Sequence, residues 1–213
     1  MSPALAGPDA ATVVDTPHGP AHVLLDAPDR SRALLVVGHG AGGGVEAPDL
    51  LAVARAALAA DAAVARVLQP YRVAGRRPAA PAGQLDEAWA AVVAHLHTEH
   101  PGLPQVHGGR SSGARVACRG AVTLDEDLRP VGVLALAFPL LAPPRKDGSR
   151  ADRGPELDAV GVPVLAVSGD RDRFGVPDAA HRREVVVVSG DHSLKAAGPV
   201  RAAVEPWLAR LLG

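Results

Sequence analysis

Aromatic residues are scarce in this sequence of 213 residues: two tryptophans, two phenylalanines and one tyrosine make up only 2% of it. A core packed to ordinary density must therefore be filled mainly by Val, Leu and Ala side chains. Apolar material is still plentiful, since hydrophobic residues make up 47% of the chain. That share is enough to cover both faces of a sheet, and the length suits one domain. We expect a single domain over residues 1–213, with a loose N-terminal arm over residues 1–11.

Cysteine is almost absent as well. The single cysteine, Cys118, excludes an intramolecular disulfide and suits a reducing compartment. The first nine residues have neither a basic region nor an apolar run, so we expect no signal peptide. No apolar stretch approaches the roughly 18 to 20 residues that a spanning helix needs. These absences predict a cytoplasmic protein that does not bind a membrane.

An excess of charge of one sign is also missing. Lys and Arg number 22 against 23 Asp and Glu, which gives a formal net charge of −1. Nothing in this balance attracts the protein to nucleic acid or to an acidic membrane surface. We therefore expect a small molecule as its partner, and the sequence leaves the oligomeric state open.

Short apolar runs that alternate with helical patterns indicate an α/β fold. Strands are predicted at residues 21–25, 33–37, 63–68, 104–107, 131–137, 162–167 and 184–188. Helices are predicted at residues 50–60, with Asp49 as the capping residue, and at 84–97, 112–119 and 199–212. Unbroken Val and Leu runs predict a mostly parallel central sheet with helices on both faces. The longest loop, residues 139–155, is too short to hold a cap domain.

The loops that follow the strands are where chemistry is expected, because ligands bind beyond the carboxyl ends of parallel strands. One of these loops, residues 109–113, reads Gly-Arg-Ser-Ser-Gly and matches Gly-x-Ser-x-Gly. The pattern lies between a predicted strand and a predicted helix, as the nucleophile turn of a serine hydrolase requires. Ser111 is the candidate nucleophile. The N–H groups at the start of the helix, that of Ser112 first, are suited to hold a developing oxyanion.

A base and an orienting carboxylate follow in the chain order that this chemistry uses, serine first, then acid, then histidine. Asp170 and Asp172 come just after the strand at 162–167, and His192 comes just after the strand at 184–188. We favour Asp172 as the acid because it is better placed to turn back toward His192, while Asp170 braces the loop. Asp191 is a weaker rival, since it adjoins His192 in sequence.

The glycine-rich segment at residues 38–43 has two interpretations. Gly-x-Gly-x-x-Gly after a strand is typical of dinucleotide binding, which also needs an acidic residue about 20 residues further on. Gln69 and its neighbours stand there instead, and no Lys-Ser or Lys-Thr follows to make a phosphate-binding loop. In a hydrolase, the same loop supplies oxyanion-hole N–H groups, for which we favour Ala41, with Gly42 next.

Other polar residues are less informative. Three histidines at 95, 97 and 100 lack the spacing that places metal ligands on one helix face, so neither a metal nor another cofactor is predicted. Arg110, Tyr71 and Arg72 are candidates for the rim of the substrate site. A solvated surface role explains the arginines equally well.

Four segments together carry a family resemblance. They are Gly-His-Gly-Ala-Gly-Gly-Gly at 38–44, Gly-Gly-Arg-Ser-Ser-Gly-Ala-Arg at 108–115, Gly-Asp-Arg-Asp-Arg-Phe-Gly at 169–175 and Gly-Asp-His-Ser-Leu at 190–194. With Gln-Pro-Tyr-Arg at 69–72, they resemble the α/β-hydrolase superfamily. The likeness is greatest to its short, lidless, dienelactone-hydrolase-like group, which includes homologues of the NSL-complex regulatory subunit and the testis-expressed hydrolase-like protein.

The resemblance implies a Ser111–His192–Asp172 triad that cleaves ester-type bonds, whether carboxylic esters or thioesters, through an acyl-enzyme. A dienelactone hydrolase proper would carry a cysteine at the position of Ser111, which argues against dienelactone as the substrate. The alternative from another class is a hydrolase-fold protein that has lost catalysis and serves as an interaction module. A dinucleotide-binding protein is a further alternative.

Overall fold

The computed structural model describes residues 5–213 and contains one sheet of eight strands. The strands are β1 (Thr12–Val14), β2 (Ala21–Asp26), β3 (Ala33–Gly38), β4 (Ala62–Leu68), β5 (Gln105–Arg110), β6 (Gly132–Leu136), β7 (Val164–Gly169) and β8 (Arg183–Val188). Their order in the sheet is β1-β2-β4-β3-β5-β6-β7-β8. β1 pairs antiparallel with β2, and β2 pairs antiparallel with β4, whereas all the other pairs are parallel. The mostly parallel sheet that the sequence predicts is therefore confirmed.

Six α-helices in the described part of the chain connect and cover the strands. They are α1 (Pro48–Ala59), α2 (Pro70–Val73), α3 (Ala82–Glu99), α4 (Ser112–Thr123), α5 (Gly154–Asp158) and α6 (Ala197–Leu212). Residues 137–153, between β6 and α5, form the longest connection and include no cap domain. Within residues 5–213, no helix has both the length and the apolar character to cross a membrane.

Each face of the sheet carries its own apolar core. β3 is buried along its whole length, with Leu34 and Val36 in one core and Leu35 and Val37 in the other. This alternation follows from the two-residue period of a strand. Buried residues of α3 and α4 pack against the first face, and those of α1 and α6 pack against the second. Trp89 anchors the first core, as a fully buried residue of α3.

The start of α1 differs from the sequence prediction. The helix begins at Pro48, with Ala47 as its capping residue, so the prediction of Asp49 as the cap is wrong. Proline is favoured in the first turn because its missing N–H would have no partner there. Asp49 is instead the second residue of the helix, and its side chain is completely buried.

The N-terminal segment forms β1, a strand that the sequence does not predict, and residues before β1 also make hydrogen bonds to the sheet. Residues 1–4 of the expected loose arm lie outside the described residues. In the remainder, the Ala6 N–H donates to Asp26 Oδ1 at 2.5 Å, and the Ala6 carbonyl accepts from Arg66 Nη2 at 2.7 Å. Asp26 of β2 and Arg66 of β4 form a buried ion pair, with 3.0 Å between Nη2 and Oδ2. The hydrogen bonds of Ala6 to these two side chains therefore attach the segment to both strands.

Candidate active site

Ser111 occupies a sharp turn between β5 and α4. Its backbone has φ of +53° and ψ of −107°, a conformation that non-glycine residues rarely adopt and that is typical of strained functional sites. The Ser111 N–H donates to the Leu136 carbonyl of β6 at 2.8 Å, which helps hold the turn. The serine side chain therefore lies at the carboxyl edge of the sheet.

Gly113 allows this turn to lie close to the neighbouring strand. A Cβ at Gly113 would lie 2.3 Å from the Gly38 carbonyl oxygen at the end of β3. No side chain fits at that distance, so the second glycine of the Gly-x-Ser-x-Gly pattern is required by the approach of α4 to β3.

A chain of two hydrogen bonds links Ser111, His192 and Asp172. Ser111 Oγ lies 2.9 Å from His192 Nε2, and His192 Nδ1 lies 2.7 Å from Asp172 Oδ2. The Asp172 side chain is fully buried, and its Oδ1 accepts from the Phe174 N–H at 2.9 Å. The Phe174 ring packs edge-on against the imidazole, with 4.5 Å between ring centroids. The sequence predicts all three polar residues of this chain, and the structure brings them together.

The two other candidate acids have different contacts. Asp170 Oδ1 accepts from the Gly190 N–H at 2.9 Å, which ties the loop after β7 to the loop after β8. Asp191 accepts from both the N–H and the hydroxyl of Ser193. These two hydrogen bonds lower the pKa of Asp191. Of the three aspartates, only Asp172 contacts the His192 ring.

The glycine loop after β3 and His192 line the same cleft. Ala41, Gly42 and Ser112 line the same cleft as Ser111. Among residues 5–213, no acceptor takes a hydrogen bond from the N–H of Ala41 or Ser112. The loop ends before α1 begins at Pro48, so it does not open a helix as the loop of a dinucleotide site does.

Two buried side chains form hydrogen bonds with backbone carbonyls of the glycine loop. Tyr71, predicted at the substrate rim, is only 6% exposed and donates its hydroxyl to the Ala41 carbonyl at 2.8 Å. His39 Nδ1 lies 2.8 Å from the Gly40 carbonyl, and its Nε2 accepts from the Gln69 N–H at 3.1 Å. Burial lowers the pKa of His39, which keeps the ring neutral with its proton on Nδ1. Tyr71 is therefore a brace of the loop and does not line the cleft.

The predicted rim arginines also differ from one another. Arg110 lines the cleft, its Nη2 donates to the His192 carbonyl at 3.2 Å, and its Nε lies 3.1 Å from Asp49 Oδ2. Burial raises the pKa of Asp49 to about 6, and the charge of Arg110 opposes that rise. Arg72 is outside the lining residues and donates to the Arg76 carbonyl.

The cleft at Ser111 is open and has a volume of about 560 Å³. It includes several residues that the sequence does not single out, namely Arg115, Pro139, Pro143, Arg153, Arg173 and Phe174. They come from α4, from the segment before α5 and from the loop after β7, and only the fold brings these together. Within residues 5–213, no group of three or more His, Cys, Asp or Glu side chains could hold a metal ion.

Comparison with known protein families identifies the family of this chain. A model of the alpha/beta hydrolase domain matches residues 31–204. The chain belongs to the α/β-hydrolase family. It is accordingly an enzyme of the hydrolase type, and the family predicted from the sequence motifs is confirmed. No curated protein sequence matches this α/β-hydrolase.

Solved structures share the fold of this α/β-hydrolase over nearly the whole chain. Est1E from Butyrivibrio proteoclasticus matches with a TM-score of 0.74 at 17% identity, covering 95% of this chain and 98% of its own. An alpha-beta serine hydrolase homologue from Coxiella burnetii gives 0.73 at 18% identity, with 99% and 100% covered. A dienelactone hydrolase from Anabaena variabilis gives 0.71 at 16%, with 98% and 96% covered. At these identities, the matches establish a common fold. A common fold is also what this chain shares with the dienelactone hydrolase.

Proposed function

We propose that this α/β-hydrolase cleaves ester-type bonds, carboxylic esters or thioesters, with Ser111 as the nucleophile. The observation that carries the proposal is the hydrogen-bonded chain from Ser111 through His192 to Asp172 at one end of an open cleft. A serine hydroxyl is a weak nucleophile and needs a base within hydrogen-bond distance. The 2.9 Å from Ser111 Oγ to His192 Nε2 meets that requirement.

In the proposed reaction, His192 Nε2 takes the proton of Ser111 as the hydroxyl attacks an acyl carbonyl. Asp172 holds His192 in the tautomer that carries its proton on Nδ1 and stabilises the charged ring that forms. The protonated His192 then gives its proton to the leaving alcohol or thiol as an acyl-enzyme forms. Water, activated by the same histidine, attacks the acyl-enzyme and releases the acid.

The N–H groups of Ala41 and Ser112 are the proposed oxyanion hole, with the N–H of Gly42 as the next candidate. Preorganised donors of this kind contribute about 3 kcal/mol of transition-state stabilisation each. The hydrogen bond from the Tyr71 hydroxyl to the Ala41 carbonyl supports the assignment, because it fixes the peptide group next to the proposed donor. The Ser112 N–H lies at the first residue of α4, where the helix dipole favours negative charge.

The proposed substrate is a small acyl compound, and we place the protein in the cytoplasm. An open cleft of about 560 Å³ without a cap domain suits short or exposed acyl groups better than long lipid chains. The near-neutral net charge of −1 gives no support to a nucleic-acid or membrane partner.

Hydrolysis of 4-nitrophenyl acetate by purified protein tests the proposal. We expect Ser111→Ala to lower kcat/KM by at least about a thousandfold, because the variant has no nucleophile. Ser149→Ala removes a hydroxyl from an exposed turn outside the cleft and is the matched control, with an unchanged rate expected. Equal rates for wild type and Ser111→Ala would overturn the proposal, as would a wild type inactive on every short ester.

A further inference from the structure

Among residues 5–213, four arginines and no carboxylate line the cleft beside Ser111. The four arginines are Arg110, Arg115, Arg153 and Arg173. Such an excess of one charge in a concave site raises the local concentration of oppositely charged ligands. Carboxylates of the protein neutralise some of these charges and leave others without an ion-pair partner.

Arg110 and Arg115 have carboxylate partners. Arg110 Nε lies 3.1 Å from the buried Asp49 Oδ2. Arg115 makes a two-pronged ion pair with Glu156, which also accepts from Arg119 at 3.2 Å. Glu156 is thus shared between two arginines, and Arg119 also forms an ion pair with Asp86, so two carboxylates balance the charges of Arg115 and Arg119.

Arg153 is next to that shared carboxylate and makes no ion pair within residues 5–213. It is half-buried, and burial lowers its pKa. The charge of Arg115 lowers the pKa further, with Arg119 and Arg150 acting the same way and Glu156 in opposition. A partly desolvated cation among other cations raises the free energy of the empty site, and a bound anion would lower it.

Arg173 is the second arginine of the cleft without an ion pair among the described residues. Its guanidinium carbon lies 4.8 Å from the centre of the Phe174 ring, on which it packs. The same ring contacts the His192 imidazole. The Phe174 ring therefore contacts both the guanidinium of Arg173 and the imidazole of the proposed base.

We propose that the ester substrate of this enzyme carries a carboxylate, which Arg153 and Arg173 bind while the scissile carbonyl lies at Ser111. A guanidinium presents a planar pair of N–H donors that matches the two oxygens of a carboxylate. This inference rests on the proposed function for its substrate, while binding of the carboxylate is measurable without turnover.

The kinetic test compares an anionic ester, mono-4-nitrophenyl adipate, with its neutral methyl ester, in a buffer free of phosphate. We expect the wild type to favour the anionic ester in kcat/KM by about tenfold or more, and added salt to reduce the preference. Arg153→Gln and Arg173→Gln should each lower kcat/KM severalfold for the anionic ester alone. Arg55→Gln, at an exposed position of α1 outside the cleft, is the charge-matched control and should change neither rate.

A binding measurement separates this inference from the proposed function. Monomethyl adipate should bind Ser111→Ala, as followed by ligand-observed NMR, and lose about tenfold or more in affinity when Arg153→Gln and Arg173→Gln are added. Absence of binding to Ser111→Ala overturns the inference, as does an equal fall in the rates of both esters in the arginine variants. Binding without hydrolysis of any ester by the wild type would contradict the proposed function and keep the carboxylate site.

Discussion

Asp170 and Asp172 lie two residues apart after β7 and contact different groups. Asp172 is buried and hydrogen-bonds to His192, whereas Asp170 is half-exposed and accepts from the Gly190 N–H. Asp172→Asn keeps the size of the side chain but loses the charge and favours the wrong tautomer of His192. A reduction in kcat of about ten-thousandfold is expected. Esterase kinetics of the purified variant measure it.

Asp170→Asn is the matched control for that substitution. Its amide oxygen can still accept from the Gly190 N–H, so the bracing of the His192 loop is kept. A change in kcat of less than about tenfold is expected. A larger loss in Asp170→Asn than in Asp172→Asn would reverse the assignment of the acid.

Asp49 makes the stability of the protein depend on pH. Burial raises its pKa in the folded state from 3.8 to about 6, despite the charge of Arg110. The folded protein therefore binds more protons than the unfolded chain between these two values. The stabilising contribution of this group is fully present below pH 3.8 and is lost as the pH rises through about 6.

Asp49→Asn removes this titration and supplies the test. As the pH rises from about 3 to about 7, the free energy of unfolding of the wild type should fall by about 3 kcal/mol relative to that of the variant. Urea denaturation of both proteins across this range measures the difference. A constant difference between the two proteins would show that the carboxyl group keeps its ordinary pKa.

The sequence could predict which residues lie close together where chain order and strand ends constrain their positions. Ser111, His192 and Asp172 each follow a strand, and parallel strands bring their ends to one edge. Asp49 was misassigned because a cap and a buried second residue of a helix have the same sequence signal. Arg153 lies in no motif, and Arg173 lies in the segment at 169–175 without being marked there as a cleft residue, because the path of two loops over the cleft decides the position of both side chains.

Among the elements, the contact between α4 and β3 positions Ser111, the proposed nucleophile. Gly113→Ala would place a Cβ 2.3 Å from the Gly38 carbonyl oxygen, and backbone on both sides would have to move. We expect the free energy of unfolding to fall by about 3 kcal/mol or more, with loss of activity. Thermal and urea denaturation of the variant provide the measurement.

Gly83→Ala is the helical control for that prediction. It lies in the first turn of α3, and a Cβ there meets nothing within 4 Å. Alanine in an open helical position stabilises by about 0.4 to 1 kcal/mol, mainly because the unfolded chain has less freedom to lose. Similar effects of the two substitutions would mean that α4 does not approach β3 as closely as described.

The sequence predicts the elements that contain an unbroken apolar run or a helical period. Each of β2 to β8 and the helices α1, α3, α4 and α6 has a predicted counterpart. β1, α2 and α5, with three, four and five residues, contain neither a long apolar run nor a helical period that would distinguish them from a loop. Their formation depends on tertiary contacts, such as the pairing of β1 with β2.

In the whole molecule, the sheet brings residues that are far apart along the chain close together in space. Ser111 and His192 are 81 residues apart in sequence, yet the order β5-β6-β7-β8 places their loops at one edge. The fold class could be predicted because unbroken apolar runs require cover on both faces. The antiparallel start of the sheet could not, since strand direction in β2 depends on pairing that its own residues do not encode.

Mapping of a covalent adduct tests whether Ser111 is the nucleophile. The protein is treated with a fluorophosphonate probe and digested with trypsin, and the modified residue is located by fragmentation of the peptide at residues 111–115. That peptide contains both Ser111 and Ser112, so the measurement distinguishes the nucleophile from its neighbour. We expect one adduct, on Ser111, that is absent from His192→Ala under the same conditions. An adduct on Ser112, or no adduct on the folded wild-type protein, would contradict it.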